Sequence, residues 1–351
     1  MAISRRYAAM AIVAGAALVM YLAHSTDYRP LTGPNRFSAS QAPPYTAAIV
    51  YLLSVLPGPR SPERLFESLA RMQMNIPWRH QWPVLLLHAG AYDTLDSQSE
   101  FLNRLRDSAD SHGMTADATA RLVNRIEFVT THHELPEGVP ATGGADEPVW
   151  PGEWPAYQHM CAFYSYKIFS HPRIKDLTYY LRLDDDSSIL EPTCIDPFEY
   201  MHVQNKSYAF RHESPDMGWV TEGMWPFVNN YAARHPDVEQ RLASNGWEWP
   251  PNRVWPGKAH EYGLGANFPS YETNFDLVKL SRFRTPEMTE FLAELASDPR
   301  RFYWYRWGDA PVRMAEVSMF LDVKTEVHQM CEIRYAHKTF VFEDCECVPL
   351  P

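Results

Sequence analysis

The feature that most constrains this 351-residue chain is a short, uninterrupted apolar run, followed by an amphipathic segment and then another apolar run. Residues 47–53 read Ala-Ala-Ile-Val-Tyr-Leu-Leu, with no polar alternation, which predicts a strand buried on both faces. A helix is predicted next: Ser61 suits the N-cap, Pro62 the first helical position, and Leu65, Leu69 and Met72 fall on one stripe. Residues 84–87 and 125–130 supply further strands. Strand, helix and strand in succession predict an α/β fold with a parallel sheet and right-handed crossovers, whose ligands sit beyond the carboxyl ends of the strands.

Residues 177–183, Leu-Thr-Tyr-Tyr-Leu-Arg-Leu, form another strand pattern and run directly into Asp184-Asp185-Asp186. Three adjacent carboxylates repel one another, and a divalent cation removes that repulsion. In an extended chain Asp184 and Asp186 project to one side and can address one metal or a metal-bound diphosphate, while Asp185 points away. The alternative is a solvated acidic turn. A calcium-binding EF-hand loop is excluded, because Ile189 stands where that loop needs Gly and Ile195 where it needs Glu. A Gly-rich phosphate loop, a GxSxG elbow, an HExxH pair and a kinase signature are all absent from the sequence. Thr285 and Pro286 start an amphipathic helix with Met288, Phe291, Leu292 and Leu295 on one stripe, and Asp309 is placed to cap a second helix through Met319. Residues 247–268, rich in Trp, Pro and Gly, are expected to form an irregular loop near the site.

Thirty-two Lys+Arg against 43 Asp+Glu leave a formal charge of -11, which argues against a nucleic-acid partner. A nucleotide anion remains compatible with this charge where a divalent cation bridges. Arg5 and Arg6 precede an apolar run at 7–22, which predicts a cytoplasmic tail (1–6), a transmembrane signal anchor (7–23), a Pro-containing stem (24–45) and a lumenal domain (46–351). A cleaved signal peptide is the alternative. Five cysteines in an oxidising lumen allow up to two disulfides and one free thiol, a reading preferred to zinc. Asn205-Lys206-Ser207 is a candidate N-glycosylation acceptor. A lumenal, acidic protein with a strand-terminal Asp-x-Asp suggests a sugar-nucleotide transferase, in which a metal neutralises the leaving diphosphate.

Several segments, in order, resemble the fungal-type Golgi α-1,2-mannosyltransferases of glycosyltransferase family 15. They are His159-Met160-Cys161-x-Phe163 with Ser170-His171-Pro172, Tyr179-Tyr180-x-Arg182-Leu183-Asp184-x-Asp186, Asn274-Phe275-Asp276, Arg306-Trp307-Gly308-Asp309-Ala310-Pro311-Val312 with Phe320-Leu321-Asp322, and Tyr335-x-His337. The resemblance implies a Rossmann-like, GT-A type mixed sheet flanked by helices. It also implies a retaining transferase that uses Mn2+ to move mannose from GDP-mannose to a mannosyl glycan or glycoprotein. By the same resemblance, Asp184, Asp186 and His337 hold the metal, and Arg182, Asp184 and Asp186 bind the nucleotide-sugar. Asp276 is the candidate nucleophile or charge stabiliser, Tyr157 lies near the reacting sugar, and Asp309 sits in a helix-opening motif beside the site. Where the family has Glu at positions 276 and 184, Pro at 185 and Arg at 158 and 162, this chain has Asp276, Asp184, Asp185, Gln158 and Ala162. These replacements leave two alternatives: a transferase with another sugar donor, or an inactive glycan-binding scaffold of the same fold.

Overall fold

A computed structural model describes residues 43–54, 62–139, 154–247, 267–342, 344–348 and 350. The expected tail and anchor, the stem up to residue 42, the Ser61 cap and most of the 247–268 loop lie outside the described residues. Among the described residues no helix is long and apolar enough to cross a membrane.

In chain order the elements begin with β1 (Ala47–Ser54), α1 (Glu63–Asn75), β2 (Val84–His88), α2 (Leu95–Ser108), α3 (Ala116–Val123), β3 (Ile126–Thr130), α4 (Ala156–Ser165), β4 (Tyr179–Leu183) and β5 (Ser187–Ile189). They continue with α5 (Pro197–Val203), β6 (Tyr208–Phe210), β7 (Glu213–Asp216), α6 (Met224–Arg234), α7 (Pro236–Ser244), β8 (Phe268–Tyr271) and β9 (Phe275–Lys279). The chain then forms α8 (Pro286–Ala296), α9 (Arg300–Tyr303), α10 (Asp309–Phe320), α11 (Val323–Glu326), β10 (Val327–Gln329), β11 (Tyr335–His337) and β12 (Phe340–Val341).

The main sheet has seven strands in the order β10-β6-β9-β4-β1-β2-β3. Its β4, β1, β2 and β3 run parallel, as the strand–helix–strand pattern requires, whereas β9 pairs antiparallel with both β4 and β6. The sheet is therefore mixed. The missing alternation in the apolar runs has a direct cause: β2 and β4 are buried along their whole length, because helices cover both faces. Ala48, Val50, Tyr180 and Val278 meet α4, α6, α8 and α10, while Ile49, Tyr51, Leu181 and Leu277 meet α1, α2, α3 and α5. On α8 the expected start is realised: Thr285 accepts from the Met288 N–H, and Met288, Phe291, Leu292 and Leu295 are buried.

A three-stranded antiparallel sheet, β12-β11-β5, stands at the carboxyl end of β4. The cysteines pair as Cys194–Cys347 and Cys331–Cys345, leaving Cys161 as a buried free thiol. Both bonds tie the C-terminal segment to the chain around β5 and β11, the strands that frame the site.

Candidate active site

β4 delivers Arg182 and Leu183 and then stops, and the acidic triplet forms a turn rather than an extended strand. The Ser187 N–H donates to the Asp184 carbonyl at 3.0 Å, and the Asp184 N–H donates to Ser187 Oγ at 3.1 Å. This corrects the expected alternation of side chains, yet the two aspartates still converge. β5 returns from the turn and pairs with β11, placing His337 opposite Ser187. His337 Nε2 lies 3.0 Å from Asp186 Oδ1 and 4.0 Å from Asp184 Oδ2. One ligand atom from each of Asp184, Asp186 and His337 falls within 4.8 Å of the others. Burial alone would raise the Asp186 pKa, but the His337 hydrogen bond and charge overcome it and hold the carboxyl below its ordinary value.

Supporting groups orient the imidazole. His337 Nδ1 faces Asn274 Nδ2 at 3.2 Å, while the Tyr335 hydroxyl lies 2.8 Å from Asn274 Oδ1 and 2.6 Å from Ser187 Oγ. The Asn274 amide N–H donates to Nδ1, which leaves the ring proton on Nε2 toward Asp186; a metal held at Nε2 would require that proton on Nδ1, with the Asn274 amide turned so that its oxygen accepts it. Two carboxylates and one imidazole form a mostly hard, mixed donor set that suits Mn2+. Cys331, Glu332 and Cys345 also cluster, but both sulfurs are consumed by their disulfide.

Arg182 is placed differently from the expected phosphate contact. Its side chain is only 3% exposed; Nε donates to Asp184 Oδ1 at 3.0 Å, and Nη1 donates to Asp309 Oδ2. The guanidinium also stacks 3.6 Å from the Tyr164 ring centroid. Arg182 thus ties Asp184 to Asp309. Asp309 is the first residue of α10, with Gly308 at the cap position, so it does not cap the helix. Its carboxylate instead takes bonds from Arg182 and from the Thr273 hydroxyl at 2.7 Å. Burial pushes its pKa up, but Arg182 and Thr273 outweigh this and hold it below the usual range.

Tyr157 lies on the same side. Its hydroxyl accepts from Arg306 Nη2 at 2.9 Å, and the Arg306 guanidinium sits 4.5 Å from its ring centroid. Arg306 Nη1 is 3.6 Å from Asp216 Oδ2, and Arg306 holds φ +62°, a left-handed backbone uncommon for a long side chain. Gly308 allows the close approach behind it, since a Cβ there would meet Pro311 Cδ at 3.3 Å and Asp216 Oδ2 at 3.4 Å.

Asp276 departs most from expectation. It lies inside β9 and is 0% exposed. Register places it beside Arg182 on the same sheet face. Its Oδ2 accepts from the Tyr180 hydroxyl at 3.0 Å, and its Oδ1 is 3.3 Å from Arg313 Nε. Arg313 also binds Glu316 Oε2. One buried cation is therefore shared by two buried carboxylates, and Glu316 keeps its proton: burial, despite Arg313, raises its pKa to about 8. Asp276 is thus buried, with its carboxylate turned toward Tyr180 and Arg313. Asp309, Arg313 and Glu316 recur at helical spacing on α10, a charged stripe in an apolar helix and the one sequence signal that marks this cluster.

The shared cation sets two expectations. Asp276→Asn should lower stability by only about 1 kcal/mol, because Glu316 ionises and takes over Arg313; chemical denaturation measures it. Folded Glu316 keeps its proton between its ordinary pKa and about 8, whereas the unfolded chain loses it. The protonated group therefore makes stability fall as pH rises from about 4.5 to about 8, by at most roughly 1.4 kcal/mol per unit. Glu316→Gln should flatten that slope in unfolding curves taken across this range.

With this geometry in place, residues 143–348 match the model of the glycolipid 2-alpha-mannosyltransferase family (Glyco_transf_15). The chain belongs to this family. Its relatives include the probable mannosyltransferase KTR4 of Saccharomyces cerevisiae, 28% identical over 55% of this chain and 40% of that protein. They also include the O-glycoside alpha-1,2-mannosyltransferase omh1 of Schizosaccharomyces pombe, 28% identical over 52% of this chain and 44% of that protein. The chain spans about half the length of the curated relatives it matches. Among solved structures, core-mannan synthase A of Aspergillus fumigatus in its Mn/GDP form superposes with a TM-score of 0.64, 19% identity and coverage of 90% of this chain and 81% of that one. That likeness confirms the GT-A type fold expected from the resemblance.

Proposed function

We propose that this protein is a retaining α-1,2-mannosyltransferase that moves mannose from GDP-mannose to a mannosyl glycan or glycoprotein acceptor, with Mn2+ as cofactor. The observation that carries the reading is the convergence of Asp184, Asp186 and His337 at the carboxyl end of the central strand, in a chain of this family. Bound there, Mn2+ would supply Lewis-acid neutralisation of the departing diphosphate. The chain's own residues do the rest. Arg182 fixes Asp184 and Asp309 relative to each other, Asn274 and Tyr335 set the imidazole, and Arg306 orients Tyr157. Tyr157 stays a neutral phenol, since burial pushes its pKa well up, so it can offer a hydrogen bond to a sugar hydroxyl but no negative charge.

The buried position of Asp276 favours same-face attack over a covalent mannosyl intermediate, with Asp276 acting through its charge. Asp276→Asn is then expected to slow transfer by about tenfold, roughly 1.4 kcal/mol of barrier, without abolishing it. Loss to background with GDP binding intact would restore the nucleophile. Turnover of GDP-mannose against other nucleotide sugars, with Mn2+ and a mannoside acceptor, tests donor and activity together; glycan binding without turnover would favour the scaffold alternative. Golgi residence as a single-pass type II membrane protein is part of the proposal. The apolar run at 7–22 and two disulfides, bonds typical of oxidising compartments, support it.

A further inference from the structure

We propose that Arg64 and Lys338 form the clamp that holds the donor's diphosphate against the metal cluster; this rests on the transferase reading above. Arg64, the second residue of α1, has a side chain 78% exposed, yet its Nη1 stands 3.9 Å from Asp186 Oδ2. Lys338 approaches the same aspartate from the opposite element. It follows His337 in the two-residue turn between β11 and β12, its N–H points to the Asp186 carbonyl at 3.4 Å, and its ammonium is among the charges acting on the Asp186 carboxylate.

Charge balance gives the two cations a task. Asp184 and Asp186 cancel a divalent ion, so a diphosphate ester arriving with one negative charge on each phosphate finds no net attraction from the cluster. The nearby buried arginines cannot supply it: Arg182 is taken by Asp184 and Asp309, and Arg306 by Tyr157 and Asp216. Arg64 and Lys338 supply two positive charges at the rim. The turn itself argues for a selected side chain at Lys338. Its φ of +55° falls at the first central position of a two-residue hairpin, where glycine is ordinarily used and a long side chain is strained. A metal ion held by Asp186 would compete with Arg64 for that carboxylate and leave Arg64 available to a phosphate.

The test is calorimetric titration of GDP into the full chain saturated with Mn2+, comparing wild type with Arg64→Gln, Lys338→Gln, the double variant and Lys338→Gly. Each glutamine variant is expected to weaken GDP by about 5–10-fold and the double by roughly 50-fold, with a shallower salt dependence. Mn2+ titrated alone should bind unchanged or slightly tighter, because a repelling charge has gone. Lys338→Gly should weaken GDP while raising the melting temperature, which separates lost charge from lost structure. Double-variant binding within twofold of wild type would overturn the clamp and leave the transferase reading standing, as would a parallel loss of Mn2+ affinity. A wild-type chain that takes Mn2+ but no GDP would overturn the transferase reading and the clamp with it.

Discussion

His337→Ala is expected to lower Mn2+ affinity by more than about 100-fold and to remove Mn2+-dependent GDP binding while leaving the fold intact. The imidazole is the one nitrogen among the three converging ligands, and it comes from a strand whose place is set by pairing with β5 rather than by the metal. Removing it leaves two aspartates that repel each other, with Arg182 bound to Asp184 and only the exposed Arg64, 3.9 Å away, beside Asp186. Asn274→Ala makes the graded comparison. It removes the group facing His337 Nδ1 and should cost about 10–100-fold in Mn2+ affinity, the range for groups that orient a metal ligand. Titration of Mn2+ monitored by electron paramagnetic resonance reads both. Equal affinities for wild type and His337→Ala would remove His337 from the site.

Arg313→Met should be the most destabilising single change, by about 3–5 kcal/mol in urea or thermal unfolding. The guanidinium is 1% exposed and lies between Asp276 and Glu316, both fully buried. Glu316 can answer the loss by remaining protonated, but Asp276 keeps only the tyrosine hydroxyls of Tyr180 and Tyr208 and no cation. The combination Arg313→Met with Asp276→Asn and Glu316→Gln should recover much of the loss, because a neutral core of similar volume carries no desolvated charge. A single variant as stable as wild type would show that the cluster is not held as described.

The parts of this molecule visible in the sequence are those governed by local periodicity. Continuous apolar runs mark β1, β2 and β4 as doubly buried, and Thr285-Pro286 marks the start of α8, because burial and capping act within a few residues. The antiparallel insertion of β9 is not visible, since strand direction depends on a crossover that no local pattern records. Asp184 and Asp186 converge as the sequence predicts, but for a different reason: a turn closed by Ser187 brings them together, not the pleat of a strand. His337 is reached only through family resemblance, since it lies far along the chain from Asp186 and only the β5–β11 pairing joins them. Asp276 carries the motif of an active-site carboxylate, yet its side chain points with Tyr180 into a buried layer, where Arg313 completes it. Arg313 and Glu316 leave a trace as charges on the apolar stripe of α10, and their buried pairing requires the neighbouring sheet.

The most direct test of the central claim is an anomalous difference map, recorded at the manganese edge, from crystals of the full chain grown with MnCl2 and GDP. A single strong peak bounded by Asp184, Asp186 and His337, with the diphosphate beside it, is the predicted result. A manganese peak elsewhere, with these three side chains in contact only with one another, would contradict it.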